Sequence, residues 1–355
     1  MNKKTVALIF GGTGCERDIS VLSAKNLYPY FDKGKFRVLP VFIDESGAWL
    51  TDADYSSPAL DGFISSAKAG KAAYTHPVRL GIKRGFITEC GIIECHSAFP
   101  MLHGDGGEDG AVQGALRTAG IATVGCDTLS SAVCLDKGFT KAVAESMNIP
   151  VVPWIYITEG DEESFICEAE RAIGYPLFIK PSRLGSSVGA GIAKNRYELR
   201  RAFRAAREAG GERILAERFI ENAREIECGF YSARGKLLFT DPGEISSSFG
   251  FYDYSSKYTA ETHATVSDIS KIDSSTSEKI KEYARALVLR LGCMGMSRID
   301  FFLDGCGNIY FNEINTIPGM TEGSLYPRLL ARCGISTERM LTELIEDTLY
   351  AGNIR

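Results

Sequence analysis

The chain has 355 residues, 45% of them hydrophobic and 24% charged, with a formal net charge of -5, which is typical of a globular protein of two or three domains. Because the acidity is mild and no block of lysine or arginine interrupts it, the sequence argues against nucleic acid or a membrane as a partner and favours small molecules. No stretch has the length of a signal-peptide core or a transmembrane helix, and ten scattered cysteines without a C-x-x-C pair predict reduced thiols in the cytoplasm.

The first third of the chain has the pattern of a parallel α/β sheet. The apolar run "TVALIF" ends at a glycine pair and is followed by the helical pattern "ERDISVLSAKNL". "VLPVFID" predicts a second buried strand, and "SAFPMLHG" predicts another, which leads through the loop "HGDGGEDG" into the helix "AVQGALRTAG". We therefore predict a Rossmann-like domain over residues 1–126, with residues 46–95 as an elaboration of it.

Two further segments are predicted, with boundaries near residues 126 and 213. The first has helical patterns capped by Asp127 and Asp136, then the strands "VVPWIYI" and "PLFIKP" and the loop "SRLGSSVGAG". The second contains the strands "EIECGFYS" and "KLLFTDPGEI", a long loop from residue 246 to residue 268, a helix, and the strand pair "SRIDFFLD" and "NIYFNEIN". This pattern predicts three domains.

The last two strands carry polar residues on one face. Side chains alternate along a strand, so Arg298 and Asp300 share a face, as do Glu313 and Asn315 on the next strand. "DGCGN" between them is typical of a hairpin, and a register that pairs residue 300 with residue 313 sets two carboxylates opposite each other. A bound Mg²⁺ would remove their repulsion. A solvated polar face explains these residues, taken alone, about as well.

Other candidate residues are weak signals singly. Lys180 precedes "GSSVGAG", whose backbone N–H groups could wrap phosphates as a nest does, although a plain hairpin also explains such a loop. Glu16 lies near a helix start, where the helix dipole favours a carboxylate. His103 in a glycine-rich loop, and Lys137 and Glu217 at element ends, are also compatible with simple solvation.

In combination, these motifs resemble the D-alanine–D-alanine ligase family of the ATP-grasp superfamily over essentially the whole chain. The matching stretches, in order, are "GGTGCERDIS", "LHGDGGEDGAVQG", "LDKGFTK", "FIKPSRLGSSVG", "PGEI", "FYDYSSKY", "SRIDFFLD" and "FNEINTIPGMTEGSLYP". The resemblance implies an α/β, three-domain ATP-grasp fold: an N-terminal substrate domain (1–126), a central subdomain (127–213) and a C-terminal subdomain with the metal and catalytic site (214–355). It also implies ATP-dependent joining of two D-alanines through an acyl phosphate, for peptidoglycan precursors.

The resemblance also implies which residues bind the nucleotide. They are Lys137 and Lys180 at the phosphates, Glu217, Arg218, Phe219 and Ile220 at the adenine, Glu225 at the ribose, and Ser187. Two Mg²⁺ or Mn²⁺ ions are expected to bridge the phosphates to Asp300, Glu313 and Asn315.

The amino-acid substrates are expected to bind beside the nucleotide. The implied residues are Glu16 at the ammonium of the first D-alanine with His103 close by, Ser186 and Tyr258 in a triad with Glu16, Lys257 at the transferring phosphate, Arg298 and the Gly319 N–H at an oxyanion, and Ser324 and Leu325 at the second carboxylate. Because an acyl phosphate hydrolyses in water, the loop "FYDYSSKY" is expected to close over the site.

Three alternatives stay open on the sequence. A D-alanine–D-serine ligase of the glycopeptide-resistance type is one, although such enzymes tend to carry Arg where this chain has Leu325. Another ATP-grasp ligase with a different acid and amine is the second, and a nucleotide-binding protein without catalysis is the third. A homodimer is the family expectation.

Overall fold

The computed structural model describes residues 3–52, 59–69, 75–157, 161–246, 265–267 and 271–352. The loop "FYDYSSKY" predicted to close over the site, with Lys257 and Tyr258, lies outside these residues.

The N-terminal region is built on one six-stranded sheet with the strand order β4-β3-β2-β1-β8-β9. Its strands are β1 (Lys4–Gly11), β2 (Phe36–Ile43), β3 (Trp49–Thr51), β4 (His76–Pro77), β8 (Ser97–Pro100) and β9 (Ala122–Thr123). As predicted, β1 runs parallel to both β2 and β8, and its apolar run is buried because both faces of such a sheet are covered. Strands β3 and β4, at one side of the sheet, differ from the predicted parallel pattern, because they pair antiparallel.

Helices and a small sheet complete this region. The helices are α1 (Arg17–Leu27), a 3₁₀ turn (Tyr28–Tyr30), α2 (Leu60–Lys68) and α3 (Ala111–Ala119). The small antiparallel sheet contains β5 (Arg79–Gly81), β6 (Gly85–Thr88) and β7 (Gly91–Ile93). Residues 46–95 therefore include an elaboration of the N-terminal sheet, as the sequence predicts.

The central region has an antiparallel sheet with the order β10-β13-β11-β12. Its elements are α4 (Thr128–Leu135), α5 (Lys137–Ser146), β10 (Trp154–Ile157), α6 (Glu162–Ala172), β11 (Leu177–Pro181), β12 (Gly191–Ala193), α7 (Arg196–Glu208) and β13 (Ile214–Arg218). The predicted caps are confirmed, because Asp127 accepts from the Ser130 N–H and Asp136 from the Gly138 N–H. Strand β13 pairs inside this sheet, so a division after residue 218 rather than 213 keeps the sheet whole.

The C-terminal sheet has the order β17-β16-β14-β18-β19, with β15 also on β14. Its strands are β14 (Arg224–Ala233), β15 (Lys236–Phe239), β16 (Gly243–Ser246), β17 (Thr265–Ser267), β18 (Met296–Leu303) and β19 (Ile309–Asn315), and its helices are α8 (Ser274–Leu291), α9 (Leu325–Arg332) and α10 (Thr337–Gly352). The run "KLLFTDPGEI" forms two strands, interrupted near Pro242, which has no N–H to donate.

One hydrophobic core joins the first and last parts of the chain. Phe99 and Met101 from the N-terminal sheet belong to the same buried cluster as Ile317, Met320 and Tyr326, which follow β19. The chain after β19 is therefore fixed against the N-terminal region, and the space between the sheets becomes a cleft.

Candidate active site

The cleft has a volume of about 1120 Å³ and receives side chains from all three regions. Most of the predicted site residues that the structure describes line it: Glu16, His103, Lys137, Lys180, Ser186, Ser187, Glu225, Arg298, Asp300, Glu313, Asn315, Gly319, Ser324 and Leu325. The four predicted adenine residues do not belong to this lining.

The last hairpin has the register that sets its two carboxylates opposite each other. Arg298 pairs with Asn315, and Asp300 pairs with Glu313, so the two carboxylates lie side by side on one face. The register shifts just beyond Asp300, and the extra residue of this β-bulge is Asn312. Because of the bulge, Asn312 lines the cleft together with its neighbour Glu313.

An arginine holds one of these carboxylates with a two-pronged ion pair. The Arg298 Nε and Nη2 atoms donate to Asp300 Oδ1 and Oδ2, both at 2.8 Å, and Arg298 Nε also lies 3.2 Å from Glu227 Oε1. Burial lowers the pKa of Arg298, but the carboxylates of Asp300 and Glu227 more than offset this, so the pKa is raised. The guanidinium therefore stays charged in the cleft.

Two lysines face the acidic hairpin. Lys137 Nζ lies 3.2 Å from Glu313 Oε2 and donates to the Leu184 carbonyl oxygen at 3.0 Å. Lys180 Nζ donates to Asn312 Oδ1 at 3.0 Å, and burial lowers its pKa against the opposing effect of Glu217. Both ammonium groups therefore line the cleft beside the acidic hairpin.

The predicted adenine residues lie at the end of β13. Glu217 is buried between Lys141 Nζ and Lys180 Nζ, each at 2.9 Å. Burial raises the pKa of Glu217, but the positive charges of the two lysines lower it by more than burial raises it. The pKa is therefore below its usual value, and the carboxylate is charged. The backbone N–H groups of Arg218 and Phe219 donate to Pro153 and Pro176, and Ile220 follows them directly.

Glu16 is enclosed by backbone and by a serine. It lies at the start of α1, as predicted, and Ser186 Oγ donates to its Oε1. A Cβ on Gly104 would lie 2.4 Å from Glu16 Oε2, and one on Gly185 would lie 2.8 Å from it. Only glycine therefore leaves this carboxylate its position.

His103 is neutral at pH 7. Burial, and then the charge of Arg298, lower the pKa of His103 to about 4. Its Nε2 lies 3.3 Å from Ser23 Oγ. It therefore offers hydrogen-bonding atoms to a substrate rather than a positive charge.

Gly319, Ser324 and Leu325 lie at the far end of the cleft. Ser324 Oγ accepts from the Thr321 N–H at 3.0 Å, and a Cβ on Gly319 would lie 2.9 Å from the same oxygen. Leu325 is only 3% exposed, so it adds a buried apolar side chain to this part of the lining.

Glu108, Asn312 and Glu227 are among the cleft residues that sequence reasoning missed. Glu108 accepts from the Gly104 N–H at 3.2 Å and from the Ile317 N–H at 2.9 Å, which links the first glycine-rich loop to the chain after β19. Burial, with a contribution from Glu16, raises the pKa of Glu108 to about 7. The stretch "HGDGGEDG" contains this carboxylate, but its partner Ile317 is distant in the sequence.

Comparisons with known proteins identify the family of the chain. The family models described as "D-ala D-ala ligase N-terminus" and "D-ala D-ala ligase C-terminus" match residues 5–126 and 143–346. A D-alanine–D-alanine ligase from Caldicellulosiruptor bescii is 37% identical, over 97% of this chain and 95% of that protein. One from Streptococcus pneumoniae is 36% identical, over 97% of this chain and 96% of that protein.

Solved structures give the same result. The VanG D-Ala:D-Ser ligase from Enterococcus faecalis has a TM-score of 0.87 and 35% identity, covering 98% of this chain and 100% of that one. The D-alanine–D-alanine ligase from Coxiella burnetii has a TM-score of 0.84 and 30% identity, covering 100% of this chain and 96% of that one. The predicted family and fold are confirmed: the chain belongs to the D-alanine–D-alanine ligase family and has its ATP-grasp fold.

Proposed function

We propose that the chain joins two D-alanine molecules at the expense of ATP and releases ADP and phosphate, as a step in making peptidoglycan precursors. The observation that carries the proposal is the meeting, in one cleft, of the acidic pair Asp300 and Glu313 with the cations Lys137, Lys180 and Arg298. Family membership supports the same activity.

The nucleotide and its metal bind at the hairpin face. The carboxylates and the carboxamide of Asp300, Glu313 and Asn315 are oxygen donors of the kind that Mg²⁺ or Mn²⁺ prefers, and we assign two ions to them. Bound there, the metal neutralises charge on the triphosphate. Lys137, Lys180 and Ser187 contact the phosphates, Glu225 contacts the ribose, and Glu217 with Arg218, Phe219 and Ile220 contacts the adenine.

The chemistry follows from the poor reactivity of a carboxylate. A carboxylate oxygen of the first D-alanine attacks the γ-phosphorus of ATP and ADP leaves, which gives an acyl phosphate. The amine of the second D-alanine then attacks the acyl carbon, the phosphate leaves with that oxygen, and the amine loses a proton. Glu16 holds the first ammonium group, with His103 beside it, and Ser324 and Leu325 meet the second carboxylate.

Charge that develops during the second attack is stabilised by the protein. The Arg298 guanidinium and the Gly319 N–H act as donors to the oxyanion, and one such donor typically contributes about 3 kcal/mol. We assign Ser186 to a triad with Glu16 and Tyr258, and Lys257 to the transferring phosphate; Tyr258 and Lys257 lie outside the described residues. A closed site excludes the water that would hydrolyse the acyl phosphate.

A D-alanine–D-serine ligase is the second candidate, because the similar VanG structure is a D-Ala:D-Ser ligase. The apolar, buried Leu325 favours the smaller apolar substrate, since it offers no partner to a serine hydroxyl.

Phosphate release from ATP tests the proposed function. We expect release with D-alanine alone, and D-alanyl-D-alanine as the product identified by mass; L-alanine is the matched control and should give none. D-Serine and D-lactate, each added with D-alanine, report the second substrate. Release that ignores D-alanine, or a mixed D-alanyl-D-serine product as the preferred one, would contradict the proposal.

We also propose a homodimer that works in the cytoplasm, which supplies ATP and keeps the ten free cysteines reduced. Among the helices of the described residues, none has the length and apolarity needed to cross a membrane.

A further inference from the structure

Two of the proposed roles compete for the same atoms. Arg298 donates to both oxygens of Asp300, and Asn315 Nδ2 donates to Asp300 Oδ2 at 3.0 Å. The proposed function gives Asp300 to a divalent cation, which repels a guanidinium that shares the carboxylate. Metal binding at Asp300 would therefore weaken the Arg298–Asp300 pair, although the proposed catalysis still needs Arg298 to stay in place.

A third carboxylate lies on the other side of the arginine. Glu227 on β14 lies opposite Asp300 on β18, and Asp300 lies opposite Glu313 on β19. The three carboxylates therefore form a row across three neighbouring strands. Glu227 is 5% exposed, lines the cleft, and lies 3.2 Å from Arg298 Nε. A buried guanidinium that lost both carboxylates would be strongly destabilised.

We propose that Glu227 is a positioning residue: it holds the Arg298 guanidinium at the oxyanion while Asp300 serves the metal. This inference rests on the proposed function. In its proposed role, Glu227 contacts neither substrate nor metal and acts only through Arg298.

The direction in which Glu227→Gln changes the affinity for an anionic mimic distinguishes a positioning role from a purely electrostatic effect. Glu227→Gln removes a negative charge near the place where an anion develops, so electrostatics alone predicts tighter binding of an anionic mimic of that state. Loss of positioning predicts weaker binding instead. A phosphinate analogue of D-alanyl-D-alanine is such a mimic, because its tetrahedral phosphorus carries the negative oxygen.

The experiment measures the dissociation constant of the phosphinate analogue by calorimetry, in the presence of Mg²⁺ and ADP. For Glu227→Gln we expect binding about tenfold weaker than in the wild type, which is less than the effect of removing an oxyanion donor outright. Affinity for the planar product D-alanyl-D-alanine should stay within about twofold. Unchanged or tighter analogue binding in the variant overturns the inference.

Two further variants complete the test. In an Arg298→Met background, Glu227→Gln should cause no additional loss, because the route through Arg298 is already gone; a full additional loss overturns the inference and points to direct metal ligation. Glu244→Gln is the matched control. Arg224 donates to both carboxylate oxygens of Glu244 in the same sheet, and this pair lies outside the cleft lining.

Outcomes for the wild type separate this inference from the function it rests on. If the wild type fails to bind the analogue, the proposed ligase activity is wrong; if it binds and Glu227→Gln binds equally well, only the role of Glu227 is wrong. Should Glu227→Gln not fold, Glu227→Asp withdraws the carboxylate by one methylene, and an unchanged dissociation constant in that variant also overturns the inference.

Discussion

The carboxylates suited to a metal are already paired with cations in this cleft. Asp300 pairs with Arg298 and Glu313 with Lys137, at distances of 2.8 and 3.2 Å. A metal–nucleotide complex can replace both partners, because it offers cations to the carboxylates and phosphate oxygens to the lysine. These ion pairs compensate the charges of the carboxylates in the cleft.

Replacing Glu313 by Gln tests the metal assignment. The change removes one negative charge from the acidic pair, so we expect D-alanine-dependent phosphate release to fall more than about 100-fold at limiting Mg²⁺. Initial rates over a Mg²⁺ series measure it. Tyr310→Phe, on the same strand, serves as the control for folding. Rates near those of the wild type at limiting Mg²⁺ would show that Glu313 is not a ligand.

Glu108 makes stability depend on pH. Because burial raises its folded-state pKa from 4.5 to about 7, unfolding releases a proton across this window, and its contribution to stability falls as pH rises. Relative to Glu108→Gln, the wild type should lose up to about 3 kcal/mol of unfolding free energy between pH 4.5 and 7.5.

Urea unfolding of both proteins at each pH measures this difference. His103 titrates in the opposite sense, since its lowered pKa removes stability as pH falls from 6.5 to about 4. Its effect is common to both proteins and cancels in the difference. Parallel curves for the two proteins would mean that Glu108 titrates normally.

At the scale of elements, the register of the last hairpin was predictable and its bulge was not. Alternation along the strands and the hairpin signal identified residue 300 opposite residue 313 as the register that brings the carboxylates together, and the folded hairpin has that register. Strict alternation of side chains along the strand puts Asn312 on the opposite face from Glu313. No local sequence signal predicts the extra residue of the bulge. Glu227 was missed because it comes from a strand distant in the sequence.

A substitution in the glycine-rich loop at Gly185 tests how that loop positions Glu16. Gly185→Ala adds a methyl group 2.8 Å from Glu16 Oε2, so the carboxylate must move away from Ser186. We expect the KM for the first D-alanine to rise at least about tenfold, with the KM for ATP little changed. Steady-state kinetics with each substrate varied in turn measures both constants.

Gly191→Ala is the matched control for this substitution. Its added methyl group would meet Ala202 at 3.5 Å, an ordinary contact. Equal effects of the two substitutions on the KM for D-alanine would contradict the account of Glu16.

Across the whole molecule, the cleft exists because three sheets meet. Local sequence patterns, which are set by burial and turn chemistry, predicted the first strand, the capped helices and the final hairpin. The packing of Ile317 and Met320 into the N-terminal core was not, because it depends on contacts between distant segments. Site residues from all three regions therefore lie together only in the folded chain.

Ligand binding should accordingly stabilise the entire fold. A non-hydrolysable ATP analogue with Mg²⁺, at 100 times its dissociation constant, is expected to raise the free energy of unfolding by about 2.7 kcal/mol. Chelating the metal should remove most of this gain. Chemical unfolding with and without chelator measures it, and stabilisation that is independent of Mg²⁺ would contradict the arrangement of metal and nucleotide.

In the proposed mechanism, this cleft activates a D-amino-acid carboxylate by phosphorylation before an amine attacks it. The most direct measurement uses D-alanine labelled with ¹⁸O in its carboxylate and analyses the released phosphate by mass. One ¹⁸O atom should appear in each phosphate, because the attacked oxygen leaves with phosphorus. Unlabelled phosphate formed alongside the dipeptide would contradict the account.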